Sequence, residues 1–266
     1  MISTIKTAAK FFYGQGIHSF NQFPPLSSLV RRNKHLKEMF FFTMDDIWED
    51  TNIADLKKLI SLLQKYRVKG TFFITPYYNY KELSAEKAGQ LKEIFESHEI
   101  AMHGIRHKRD LICLSSKERI YELKYCKNFL EKRFGVKISG YRSPSFLRNS
   151  HLLKELASSG FLYNSDQFLF RPHPFVKDKM AVIPTHDKCD PFPMGLDEKG
   201  ILDLVGSKLK YCIKNRKPYV FLMHAYDINR KNLAVLDKIF SETASKGFVV
   251  NLSVSDFAKY FFKGER

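Results

Sequence analysis

The feature that most constrains this chain is a rhythm. Short apolar runs rich in Phe, Ile and Val alternate with amphipathic stretches of helical period through most of its length. A continuous apolar run is a strand buried on both faces, and such strands belong to parallel sheets whose crossovers are helices. Strands are expected at 39–43, 70–75, 100–103, 138–141, 161–164, 181–184, 219–223 and 248–252, with helices near 52–66, 82–98, 116–134, 149–159, 197–215 and 229–246. In NIADLKKLISLLQKYR, for example, Ile53, Leu56, Leu59, Ile60 and Leu63 follow the helical repeat. Gly70, Gly135, Gly160 and Gly247 each follow a helical stretch, where a left-handed cap is wanted. Seven or eight such units point to an α/β barrel occupying residues 38–266. Residues 1–37, broken by Pro24–Pro25, read as a separate N-terminal extension, and 166–195 as a long excursion rich in Pro and Phe.

Composition narrows the class. With 24 Phe and 13 Tyr, a large core is available without disulfides, and Cys113, Cys126, Cys189 and Cys212 show no paired spacing. They are read as reduced thiols, which suits a cytoplasmic protein. No run of 18 apolar residues exists to span a bilayer. The N-terminal MISTIKTAAKFFYGQG lacks the sustained apolar core of a signal peptide. Ile2, Ile5, Ala8, Ala9 and Phe12 recur at helical spacing, as in a helix packed on the body or one lying in a membrane interface. A net charge of +16 favours acidic partners such as anionic lipid surfaces or phosphorylated substrates. The lysines are nevertheless spread along helix faces without a basic-aromatic binding motif, so nucleic acid is not an expected partner.

Four motifs fall at the C-terminal ends of expected strands, the rim on which parallel barrels assemble active sites. MFFFTMDD delivers Asp45 and Asp46, HEIAMHGIRH delivers His103 and His107, GYRSPSF carries Arg142, and YVFLMH ends at His224. Each alone is weak, since adjacent aspartates and H-x-x-x-H pairs arise by chance. Together they offer a divalent metal the mixture of carboxylate oxygen and imidazole nitrogen it prefers, from Asp46, His103 and His107. Asp45 and His224 then remain as a base and an acid. His173, His186 and Asp187, in the excursion, are candidates for a loop over the site or for plain surface polarity.

In order and content these motifs resemble the polysaccharide deacetylases (NodB-homology, carbohydrate esterase family four) over roughly 39–255, including the Tyr163–Asn164–Ser165–Asp166 strand end. The resemblance implies a distorted (β/α) barrel of about seven parallel strands and a metal-dependent removal of an N-acyl group from an amino sugar. By it, Asp46, His103 and His107 hold a divalent ion, by default Zn2+, with Co2+, Ni2+ or Fe2+ as alternatives. Asp45 matches the general base, Arg142 the residue that orients it, and His224 the general acid. Ser145 matches the backbone donor to the oxyanion, and Leu222 lines the pocket for the acyl methyl. Asp166 is expected to orient His224. The sequence departs from the family pattern after the aspartates, where Ile47–Trp48 replaces a glycine turn; Trp48, the sole tryptophan, is either a stacking platform for the sugar or a packed anchor. The expected substrate is an amino sugar in a glycan or a polyprenyl-phosphate-linked precursor, met at the inner face of an anionic membrane. The alternatives are a deformylase or other amidase, and a non-catalytic carbohydrate- or lipid-binding member of the family.

Overall fold

In the computed structural model, described for residues 39–107, 113–167, 173–185, 190–215 and 217–263, the chain alternates strands and helices much as the hydrophobic rhythm dictates. The extension expected over 1–37 lies outside the described residues, as do His186, Asp187 and Cys189. Strands β1 (Phe40–Ile47), β2 (Gly70–Ile74), β5 (Glu99–His103), β6 (Gly140–Arg142), β7 (Tyr163–Asn164), β9 (Met180–Val182) and β10 (Tyr219–His224) are mutually parallel. An eighth, β8 (Phe175–Lys177), adds antiparallel to β9, and the order β10-β1-β2-β5-β6-β7-β9-β8 curls into a half-barrel. A two-stranded hairpin, β3 (Tyr77–Tyr78) and β4 (Lys81–Glu82), stands apart from it. The helices are α1 (Ile53–Lys65), α2 (Ala85–Ile94), α3 (Ser116–Phe134), α4 (Leu152–Ser158), α5 (Glu198–Lys214), α6 (Arg230–Ser245) and α7 (Val254–Lys263).

Both faces of β1 are buried, and each face has its own partners. Phe40, Phe42 and Met44 point outward into the layer between sheet and helices, where Phe40 and Phe42 meet Phe221 and Phe240. Phe41 points inward with Phe73, Ala101, Tyr163, Ala181, Ile183 and Val220 to fill the barrel's lower half. Each such phenylalanine removed from water contributes roughly 1.5–3 kcal/mol, enough to fix the register of a central strand.

Below, α7 plugs the half-barrel with Val254, Phe257 and Ala258. Its N-terminus is pinned by Glu99, whose carboxylate accepts from the Ser255 N–H at 2.9 Å, the Thr71 hydroxyl at 2.9 Å and the Tyr163 hydroxyl at 2.9 Å. A carboxylate there meets the positive end of the helix and its orphan N–H groups. Burial pushes the Glu99 carboxyl above the ordinary range despite these donors.

Two expectations of local structure are corrected. The run 248–252 makes no strand: it contributes a single bridge, Val249 to Met39, before turning into α7. Gly70 is not a helix cap; the left-handed position after α1 is taken by Arg67 (φ 55°), while Gly70 opens β2 and donates to His98 Nδ1 at 3.0 Å. Gly135, Gly160 and Gly247 do adopt positive φ after their helices. Cys113, Cys126 and Cys212 are free thiols.

Candidate active site

The chemistry-bearing residues gather at the C-terminal rim of the sheet. Strand geometry alone would send Asp45 and Asp46 to opposite faces, because side chains alternate along a strand. The register between β1 and β2 shifts between Met44 and Ile47, and Asp46 adopts a left-handed backbone (φ 61°). That irregularity turns both carboxylates toward the same mouth. A non-glycine residue held there costs on the order of 1–3 kcal/mol, a strain that persists at sites where the surroundings over-determine it.

Asp46 Oδ1 lies 3.2 Å from His103 Nε2 and 2.7 Å from His107 Nε2. This oxygen is buried and, among the described residues, receives no hydrogen bond of good geometry. His103 Nδ1 sits 3.2 Å from the Arg142 carbonyl, which can only accept, so Nδ1 donates there and Nε2 is the ring nitrogen that faces Asp46. Three donors converging on one point, with one buried oxygen otherwise unserved, fit a divalent cation. Burial pushes the Asp46 carboxyl up, but the two imidazoles outweigh it and hold it well below the usual range.

Asp45 is the neighbouring carboxylate, its Oδ2 3.9 Å from His103 Nε2. Its Oδ1 accepts from Arg142 Nη1 at 2.7 Å. The guanidinium is fully buried inside the half-barrel and is itself fastened on every side. It donates to Thr43 Oγ1, the Ser165 carbonyl and Ser165 Oγ, each at 2.9 Å, and lies over the Phe73 ring at 4.1 Å. Replacing the planar fork by Lys would lose most of these bonds.

His224 ends β10, opposite Asp45 in the register with β1. Its Nδ1 meets Asp190 Oδ2 at 2.5 Å, with Asp227 Oδ2 further off at 3.8 Å. Burial pulls the imidazole down, but the hydrogen bond to Asp190 and the charge of Asp45 carry it up to about 9. It is therefore an imidazolium at neutral pH, with Nε2–H left to donate. Burial, then the charge of Asp190, raises the Asp227 carboxyl to about 6. The Tyr226 ring lies nearly parallel to the His224 imidazole, centroids 5.0 Å apart. Asp190, His224 and Asp227 also form a cluster of metal-ligand type, yet the short bond from Nδ1 to Asp190 makes the carboxylate an orienter of the ring.

The expectation that Asp166 orients His224 is thus corrected. Asp166 is fully buried on the other side of the mouth, where it accepts from the Ser143 N–H at 2.6 Å and the Ser143 hydroxyl at 2.9 Å. It holds the turn after β6 that carries Ser145, itself left-handed (φ 53°) and exposed. Pro144 of that turn packs so close to Gly104, beside His103, that a Cβ there would sit 2.5 Å from the proline ring. Asp190 lies within the 166–195 excursion, in CDPFP, where no strand-end pattern marks it. Leu222 is buried inside the barrel, one inward position before His224 on β10. Trp48 is half-buried and stacks on Tyr78 rather than standing free.

Residues 32–163 match the family model described as polysaccharide deacetylase. The chain carries a polysaccharide deacetylase domain. The fold agrees: a Mycobacterium smegmatis structure assigned by its name to the polysaccharide deacetylases superposes with a TM-score of 0.72 at 21% identity, over 85% of this chain and 91% of that one. The catalytic domain of peptidoglycan N-acetylglucosamine deacetylase from Eubacterium rectale gives 0.56 at 18%, over 82% and 90%. A carbohydrate esterase family four pseudoenzyme from Bacillus anthracis gives 0.54 at 19%, over 79% and 62%. No curated relative matches the chain significantly. Since a pseudoenzyme shares this fold, activity must be argued from the deacetylase domain's own site.

Proposed function

We propose that the protein is a metal-dependent N-deacetylase of an amino sugar. The observation that carries this reading is the placement of a metal-type triad between a carboxylate held by Arg142 and an imidazolium held by Asp190, all on one rim. A divalent ion held by Asp46, His103 and His107 would supply Lewis acidity to an amide carbonyl and to a water beside it. Asp45, fixed by Arg142, accepts the proton of the attacking water. The turn at Ser145 offers a backbone N–H to the developing oxyanion. His224, charged at neutral pH, delivers its Nε2 proton to the departing amine, and Asp190 keeps the ring turned for that transfer. Leu222 and its apolar neighbours accommodate the methyl of an acetyl group.

Zinc is the ion proposed, on its preference for a mixed oxygen and nitrogen set; Co2+, Ni2+ and Fe2+ suit the same donors. For substrate, the net charge of +16 supports an anionic partner, and we favour a polyprenyl-phosphate-linked amino sugar met at a cytoplasmic membrane surface. The test is acetate and formate release by metal-loaded protein from a panel of N-acylated amino sugars, free and polyprenyl-linked. Acetate release that disappears with a chelator and returns with zinc is expected. Protein that binds metal and releases neither acid from any member of the panel overturns the reading.

A further inference from the structure

His103 is oriented by a hydrogen bond from Nδ1 to a carbonyl, as metal-binding imidazoles generally are. His107 is not. Among the described residues its Nδ1 has no hydrogen-bond partner, its backbone is left-handed (φ 54°), and its side chain is 26% exposed. Something else must keep the ring aimed at Asp46.

The ring instead abuts two aromatic residues. Trp48 and Tyr78 lie face to face, centroids 3.8 Å apart and planes 4° from parallel. His107 stands against both at a steep angle, 5.8 Å from Trp48 (66°) and 5.7 Å from Tyr78 (70°). Edge-to-face contacts of this kind are directional.

The pair is held by a clamp between two segments. Trp48 follows β1 in the bulky turn that replaces a glycine, and Tyr78 belongs to the hairpin β3–β4. That hairpin closes through Asn79 (φ 46°) and Tyr80 (φ 64°), consecutive left-handed residues as in a type I′ turn. Glu49 accepts from both the Ser84 N–H (2.8 Å) and the Ser84 hydroxyl (3.0 Å). Asp50 pairs with Lys81 at 2.8 Å, and Lys87 reaches the Thr51 carbonyl at 2.9 Å. Trp48 N–H donates to Thr51 Oγ1 at 2.9 Å, and Tyr77 N–H reaches the Ile105 carbonyl at 3.3 Å, two residues before His107. The segments bearing Trp48, Tyr78 and His107 are thereby fastened to one another.

We infer that the Trp48–Tyr78 stack is a positioning pair that fixes the His107 imidazole for metal binding, where the described residues offer its Nδ1 no hydrogen-bond partner. This rests on the metal-site reading above. It assigns Trp48 a task other than serving as a sugar platform, and it gives the hairpin β3–β4 a role in metal retention.

The test is the dissociation constant of zinc alone, measured by chelator competition on the full chain. Trp48→Ala, Tyr78→Ala, Trp48→Phe and Tyr78→Phe are compared, with circular dichroism to confirm the fold. Each alanine variant should bind zinc about 10–100-fold more weakly, the size of effect seen when an outer partner of a ligand is removed. Tyr78→Phe should restore most of the affinity, because the ring and not the hydroxyl does the positioning. Folded alanine variants that bind zinc as tightly as the parent overturn the inference, and unchanged affinity with a raised KM assigns Trp48 to sugar binding instead. Should an alanine variant fail to fold, Tyr78→Phe decides: affinity lost as far as in a ligand deletion refutes a role for the ring alone. A parent protein that binds no zinc at all overturns the metal site itself, an outcome distinguishable from the others.

Discussion

Replacing Asp190 by Asn separates orientation of the acid from mere burial. In the parent, His224 is held up to about 9, so it is roughly nine-tenths protonated at pH 8. Asparagine removes the negative charge and the strongest acceptor on Nδ1, and burial then acts against the charged form. With the imidazole returned to its ordinary value near 6.5, only about 3% is protonated at pH 8. Turnover should therefore fall about 30-fold at pH 8 but only a few-fold near pH 6, where both proteins keep the acid charged. Measured as kcat across pH 5.5–10 with saturating substrate, the alkaline limb should move from about 9 toward about 6.5. The stability that the pairing contributes has the same sign: a raised histidine stabilises fully below about 6.5 and loses that contribution as pH rises through about 9. An alkaline limb that stays in place in Asp190→Asn, or a loss equal at both pH values, refutes the assignment. Asp166→Asn is the control: it should leave that limb alone and instead destabilise the protein by about 1–3 kcal/mol, because the two bonds from Ser143 lose their charged acceptor.

Asp45→Asn should retain zinc, read by metal analysis, while turnover drops by about 10²–10⁴-fold; a near-parental rate would remove Asp45 from the mechanism. Asp46→Asn should lose most of the metal and lower the melting temperature of the metal-free protein at neutral pH, because a carboxyl held below its usual range by two imidazoles contributes stability that the amide does not; unchanged metal content and melting temperature would refute the pairing. Arg142→Met should cost about 3–5 kcal/mol in urea unfolding, because it leaves the Asp45 carboxylate buried without its partner; a shift below about 1 kcal/mol would contradict that burial. The segment 1–37 is proposed to hold the protein on anionic vesicles: co-sedimentation should weaken with salt and with deletion of the segment, and an intact chain that stays in the supernatant at low salt rejects it.

Much of this fold was legible in the sequence because strands buried on both faces leave continuous apolar runs, and the helices between them keep a strict period. The rim residues could be found because Asp45, Asp46, His103, Arg142 and His224 each terminate or follow such a run. What stayed hidden has a common cause. Asp190 reaches His224 from an irregular segment, where neither period nor strand end announces a side chain's direction. Asp166 sat at a plausible strand end, but which way a carboxylate faces is decided by the donors around it, here both from Ser143. The plug α7 escaped notice because its apolar face serves the inside of the barrel rather than the outer layer, and its N-terminal bond runs to Glu99, far away in sequence. Tyr78 lies in a two-residue strand too short to carry a pattern.

The position of β1 has a consequence for how the chain comes to be folded at all. It lies between β2, which is synthesised soon after it, and β10, whose last residue His224 follows Ile47 by 177 positions. At about 5–20 residues per second, a ribosome needs roughly 10–35 s to cover that interval. Through that time the Phe-rich strand has an open edge, and the inner face bearing Phe41 waits still longer for α7 to seal it from below. Pairings of such long sequence separation also form slowly once the chain is free. The nascent protein is thus a natural client for chaperones, and its yield in a cell should respond to chaperone supply and translation speed more sharply than its final stability would suggest.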